Sequence, residues 1–154
     1  MGVDRLDYAF SSAAVNVNLA TGAAAGGDAA GDTFANFEDL GGSANNDTLT
    51  GSAVANELVG RDGNDLIAGG GGGDNLSGGA GADTLDYSAS AAPVNIVFDA
   101  GDVFTGTGGD AQGDFGSGFE AVIGSSGNDT MRGFAFLDGT GQEILSGGAG
   151  NDSL

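Results

Sequence analysis

The sequence predicts an all-β chain wound as a flattened parallel β-solenoid of short strands joined by Gly-rich turns. Three observations carry that prediction. Five consecutive nonapeptides run from Gly42 to Asp86, each opening on Gly and each holding Leu or Ile at its eighth place. Gly supplies 33 of the 154 residues, and each Gly weakens a helix interior by about 1 kcal/mol relative to Ala. Leu, Ile, Val and Phe together make up only about a fifth of the chain, near the composition at which strongly charged sequences fail to collapse. A period of nine with one apolar anchor is too short for a helix and its return, so strands remain. Three residues such as Thr84, Leu85 and Asp86 form a short strand with the middle side chain inward, and the Gly-rich remainder of each block makes the turn.

In order, the blocks read GSANNDTLT, GSAVANELV, GRDGNDLIA, GGGGGDNLS and GGAGADTLD. Their anchors are Leu49, Leu58, Ile67, Leu76 and Leu85, and their sixth residues are Asp47, Asn56, Asp65, Asp74 and Asp83. The pattern returns as GSSGNDTMR from Gly124, weakly as DGTGQEILS from Asp138, and as GGAGNDSL from Gly147. A longer repeat overlies it. LDYAFSSAAVNVNLATG from Leu6 matches LDYSASAAPVNIVFDAG from Leu85, and GGDA-x-GD segments follow at Gly26 and Gly108. The chain thus divides into a wide-loop segment at 1–41, nonapeptides at 42–86, a second wide-loop segment at 87–123 and degenerate nonapeptides at 124–154, expected as one elongated body. The wide-loop segments are expected to be coils with enlarged turns, and the nine Phe residues to serve core or cap packing.

Composition removes several functions. With 22 acidic residues against 3 basic ones and a formal charge of −19, the surface cannot neutralise phosphates, so nucleic acid and anionic membranes are not expected partners. Without Cys, His or Trp there is no disulfide framework, no ordinary zinc site and no Ser-His or Cys-His nucleophile. No window approaches the 18 apolar residues of a membrane span, and MGVDRLDYAF lacks the basic-then-apolar order of a secretory leader. If the 154 residues are a fragment, or if export uses another signal, the compartment has to be argued from chemistry instead.

Two nonapeptides make one coil, so Asp47, Asp65 and Asp83 fall in one column of turns and Asn56 and Asp74 in the other. Neighbouring carboxylates then stand about 4.8 Å apart, repelling by roughly 1 kcal/mol at water's dielectric and about 3.5 at an effective value of 20. Carbonyls of the Gly-rich turns can face the same gap. A flexible cage of carboxylate and carbonyl oxygens suits Ca²⁺ better than Mg²⁺, which demands a tight octahedron. Turn chemistry alone explains Asp and Asn at these places, but not the stacking of nearly unopposed charge.

GRDGNDLIA, GGGGGDNLS and GGAGADTLD resemble the calcium-binding nonapeptide G-G-x-G-x-D-x-U-x of the RTX, or haemolysin-type, repeat proteins. The resemblance implies a right-handed parallel β-roll holding several Ca²⁺ ions. Positions 2, 4 and 6 of one turn and 1, 3 and 6 of the next coil's turn would surround each ion, with carbonyls at all but position 6. One site would use Ser43, Asn45 and Asp47 with Gly60, Asp62 and Asp65; a second, Arg61, Gly63 and Asp65 with Gly78, Ala80 and Asp83. On the other edge Ser52, Val54 and Asn56 would face Gly69, Gly71 and Asp74. Near the end, Ser125, Gly127 and Asp129 would face Gly147, Ala149 and Asp152. Val54 and Asn56 depart from the pattern, so that edge loses charge and its turn is expected to be strained. Glu143 stands where Asp belongs, after an insertion at 133–137. Asp28, Asp32, Asp110 and Asp114 are either extra ligands or solvated loop acids.

The resemblance further implies a secreted or surface protein, exported unfolded through a type I secretion system and folding on external calcium. The module is expected to be non-catalytic. Two other readings stay open: an adhesin, surface-layer or filament segment that assembles end to end or continues into a longer chain, and a polysaccharide-acting solenoid enzyme, for which only Arg5, Arg61 and Arg132 could supply a basic group. An ice-binding array of Thr and Asn at positions 3 and 5 is not present.

Overall fold

A computed structural model describes residues 2–99, 101–133 and 144–154. Asp138, Glu143 and most of the 133–137 insertion lie outside the described residues. In chain order the strands are β1 (Arg5–Asp7), β2 (Asn16–Asn18), β3 (Ala23–Ala25), β4 (Asp39–Gly41), β5 (Thr48–Ser52), β6 (Glu57–Asp62), β7 (Leu66–Gly70), β8 (Asn75–Ala80), β9 (Thr84–Asp86), β10 (Asn95–Phe98), β11 (Val103–Thr107), β12 (Phe115–Ser117), β13 (Ala121–Ile123), β14 (Thr130–Arg132) and β15 (Ile144–Ser146). They form two sheets, β1-β4-β6-β8-β12-β11-β10-β14 and β15-β13-β9-β7-β5-β2-β3. No helix among the described residues is long and apolar enough to cross a membrane.

Successive nonapeptides alternate between the sheets, as a winding of two blocks per coil requires. Thus Leu49 pairs with Ile67 and Ile67 with Leu85 in one sheet, and Leu58 with Leu76 in the other, all in parallel register. All five anchors are fully buried. In β5 and β7 the anchor and a Gly two places on turn inward between half-exposed neighbours, so the only large side chains in the core here are a single file of anchors from each side. Burying one such side chain stabilises by about 1.5–3 kcal/mol, against the chain entropy of nine ordered residues. Packing therefore leaves little surplus per block.

The wide-loop segments are not simple enlarged coils. Each folds back on itself: β2 pairs antiparallel with β3, and β10, β11 and β12 form an antiparallel meander inside an otherwise parallel sheet. A tight reversal is compatible only with antiparallel pairing, and these segments have the extra residues to make one. Gly116 takes the inner place opposite Leu76. Phe104 on the adjoining strand is fully buried and would be 3.0 Å from a Cβ at Gly116, so its ring fills the space an anchor would take. Phe98 and Phe119 join it in the core, whereas Phe10 is 98% exposed and Phe115 is 49% exposed, against the expectation that the Phe residues pack inward.

Candidate metal centre

The sixth residue of each nonapeptide ends its turn and precedes the strand, which fixes where its side chain can reach. In four of the blocks its Oδ1 accepts the backbone N–H of the sixth residue one coil back. Asp65 accepts from Asp47 at 2.7 Å, Asp83 from Asp65 at 2.8 Å, Asp74 from Asn56 at 2.9 Å and Asp152 from Asp129 at 2.9 Å. The wide-loop coils join the same ladders. Asp47 accepts from Val15 and Asp129 from Val94, at 2.7 and 2.8 Å.

The second carboxylate oxygen is the chemically telling one. In Asp65, Asp74, Asp83 and Asp129 Oδ2 is buried and has no hydrogen-bond donor among the described residues, and each of these residues is at most 2% exposed. A buried charged oxygen without a partner is costly by several kcal/mol. The first-position glycine shapes the space beside it. A Cβ on Gly60 would strike both Asp65 Oδ2 and the Gly78 carbonyl oxygen, and one on Gly124 both Asp129 Oδ2 and the Gly147 carbonyl. Each hollow therefore collects a bare carboxylate oxygen and a carbonyl from the following coil. Such a hard-oxygen donor set fits Ca²⁺.

The structure brings the expected residues together in rungs, with differences among them. Gly63 takes φ 122°, and a Cβ there would collide with the Asn45 carbonyl, so the fourth-position backbones of adjacent coils stack directly. Arg61 occupies a left-handed second position at φ 94°, its guanidinium tied to Asp7 at 2.8 Å. The Ala80 and Ser52 carbonyls accept N–H groups of Gly63 and Gly71, which leaves each a second lone pair. Asp62 and Ala149 are exposed. The turns at Ser43 and Ser125 are closed differently, the Ser hydroxyls donating to Asp47 at 2.9 Å and Asp129 at 2.7 Å and accepting from the Asn45 and Gly127 N–H groups.

One expectation is revised at this level. The strain foreseen at Val54 is absent, since the left-handed non-Gly residues among those described are Asn36, Arg61 and Asp102; Ser52 closes that turn by donating from backbone and hydroxyl to Asn56 Oδ1. Asn56 Nδ2 donates to the Glu38 carbonyl, so this amide is satisfied by protein alone. Asp47 likewise has donors on both oxygens, the Ser43 backbone N–H reaching Oδ2. Of the wide-loop acids, Asp28 is exposed. Asp32 accepts from the Tyr8 hydroxyl at 2.9 Å, and Asp114 is buried with the Tyr87 hydroxyl on one oxygen at 2.8 Å and the Asp74 N–H on the other at 2.8 Å.

Burial pushes the Asp65 carboxyl up to about 6 and Asp74 to about 7, opposed by the N–H each accepts and assisted by the carboxylates beside them. Burial also raises Asp83 and Asp114. An unfolded Asp titrates near 3.9, so between about pH 4 and pH 7 the folded chain holds more protons than the unfolded one. Its metal-free stability must then fall as pH rises through that window. In calcium-stripped buffer the far-UV β signal is expected to be stronger at pH 4.5 than at pH 7.5; a signal that grows with pH would contradict these environments.

Residue spacing marks neither Glu120 nor Tyr87 as a site residue, nor the outer ladder in which Asn46, Asn64 and Asn128 side-chain oxygens accept the N–H of Asn64, Ala82 and Asn151, each at 2.9 Å. Recurrence of Asn at the fifth place was the available signal for that ladder. Tyr87 was visible only as half of the DY pair that the duplication repeats at Asp7-Tyr8 and Asp86-Tyr87.

The family model of the RTX calcium-binding nonapeptide repeat matches in four copies, over residues 41–76, 50–85, 116–135 and 138–154. No curated protein matches the chain. The matched family describes a structural calcium-binding repeat and not a catalytic one. Since the four copies together take in more than half of the 154 residues, and the strands wind with the period that repeat demands, the chain belongs to the RTX calcium-binding nonapeptide repeat family.

Proposed function

We propose that the chain is a non-catalytic calcium module, part of a secreted or cell-surface protein, that folds when it meets Ca²⁺ outside the cell after type I export. The observation that supports this most is the set of buried Oδ2 atoms of Asp65, Asp74, Asp83 and Asp129 that protein donors leave bare. Ions would lie between Asp47 and Asp65, between Asp65 and Asp83, and between Asp129 and Asp152. The Asn56–Asp74 rung, with its satisfied amide, would bind most weakly. A site that binds only the folded state adds about 2.7 kcal/mol at a hundredfold excess of ligand over Kd. Equilibrium dialysis at millimolar calcium is expected to find at least three ions per chain. Uptake of fewer than one would overturn the reading.

End-to-end assembly is a second reading with one observation in its favour. Among the described residues the sheets end in β1 and β3 at one pole and in β15 at the other, where β14 is already bridged by Ser153. Open strand edges of this kind accept a further strand, from another copy or from more of the same chain.

A further inference from the structure

The carboxylate column through Asp47, Asp65 and Asp83 continues past the last full nonapeptide. The next coil on that edge belongs to the wide-loop segment leading into β13, and Glu120 stands there in the sixth place. Its Oε2 accepts the Asp83 N–H at 2.8 Å, just as Asp83 Oδ1 accepts that of Asp65 at 2.8 Å. Register across the junction is unbroken, with Thr84 opposite Ala121 and Leu85 opposite Val122.

Two further features repeat the geometry of the rung below. Asp83 is fully buried, and its Oδ2 has no donor among the described residues. Because Oδ1 is the oxygen turned back toward Asp65, Oδ2 is left for the following coil. A Cβ on Gly78 would strike the Gly118 carbonyl oxygen and lie 2.7 Å from Asp83 Oδ2. Gly118 therefore presents its carbonyl where Gly78 does one coil earlier, although D-F-G-S-G-F-E from Asp114 does not follow the nonapeptide pattern. The Gly79 carbonyl is close by, 3.3 Å from the place of a Cβ on Gly118.

Resting on the calcium reading above, we propose that Asp83, Glu120 and the Gly118 carbonyl form an additional divalent-cation site that joins the nonapeptide stack to the second wide-loop segment. Two carboxylates and a carbonyl leave room for further carbonyl or water ligands, which is the hard, adjustable oxygen set that Ca²⁺ takes. Ion binding here would order β13 against β9, carrying calcium-dependent folding beyond the nonapeptides. The opposite edge shows what the absence of such a site looks like. Asp74 Oδ2 is also bare, but the Asp114 oxygen above it is taken by the Tyr87 hydroxyl, and no carbonyl is among the nearest atoms to a Cβ on Gly69.

Glu120→Gln keeps an oxygen for the Asp83 N–H and removes the charge. By equilibrium dialysis this variant is expected to bind one calcium fewer than the parent chain, or to show one binding step weakened at least tenfold, while its far-UV spectrum in saturating calcium is unchanged. An unaltered count with unaltered affinities overturns the junction site. Failure of the parent chain to bind calcium at all would instead overturn the function on which the site rests. If Glu120→Gln does not fold, anomalous scattering from parent crystals grown with calcium decides: a peak about 2.4 Å from Asp83 Oδ2 and the Gly118 oxygen supports the site, and peaks confined to the nonapeptide rungs overturn it.

Discussion

Removing calcium at neutral pH is expected to convert the chain from ordered β-structure to a largely disordered ensemble, reversibly. The winding brings Asp47, Asp65 and Asp83 to successive rungs and buries them, each at most 2% exposed. Without a cation, every adjacent pair costs roughly 1 to 3.5 kcal/mol in repulsion, depending on the effective dielectric, and the donor-free oxygens add their own desolvation penalty. The favourable side is thin, because each nonapeptide buries a single anchor worth about 1.5–3 kcal/mol. Small domains are stable by only about 5–15 kcal/mol in all. Three or four ions, each adding about 2.7 kcal/mol at a hundredfold excess, are therefore enough to reverse the balance. Circular dichroism during a calcium titration should show β signal gained with the ion and lost with EGTA. A well-folded β spectrum in excess EGTA would falsify the switch.

Asp65→Ala should be among the most damaging single substitutions in the nonapeptides. One Asp65 oxygen closes the rung toward Asp47 by accepting its N–H at 2.7 Å, and the other, bare and buried, faces the hollow it shares with the Gly78 carbonyl. On the calcium reading proposed above, the side chain would serve two ion sites. Its loss is expected to remove two ions from the calcium count and about 5 kcal/mol of calcium-dependent stability, twice the single-site increment. Asp28→Ala is the matched control, since Asp28 is exposed on a loop and surface changes of that kind stay within about 0.5 kcal/mol. Chemical denaturation of both variants at fixed millimolar calcium measures the difference. Equal effects would show that the nonapeptide carboxylates hold no privileged role.

Much of this site can be read directly from residue spacing. Gly at the first place, Asp at the sixth and Leu or Ile at the eighth repeat often enough between Gly42 and Asp86 to set the period, the alternation between sheets and the two acidic columns. What spacing does not carry is how one carboxylate divides its two oxygens. Asp47 and Asp65 hold the same place in their blocks, yet Ser43 gives donors to the first, while Arg61, at the corresponding place, is turned to Asp7. Val54 illustrates the converse: it breaks the pattern, and the turn avoids strain because Ser52 and Asn56 close it through side-chain hydrogen bonds.

The sequence by itself determined the winding, because one apolar anchor and one run of turn residues every nine positions admit a short strand and a tight reversal and little else. Only the tertiary structure decided how the wide-loop segments enter the stack. Their antiparallel meander, the Phe104 ring above Gly116, the Tyr87 hydroxyl on Asp114 and the placing of Glu120 over Asp83 join residues 6 to 37 positions apart. Such partners are selected by which buried oxygen or empty core position remains when the coils close, and that is a property of the packed chain.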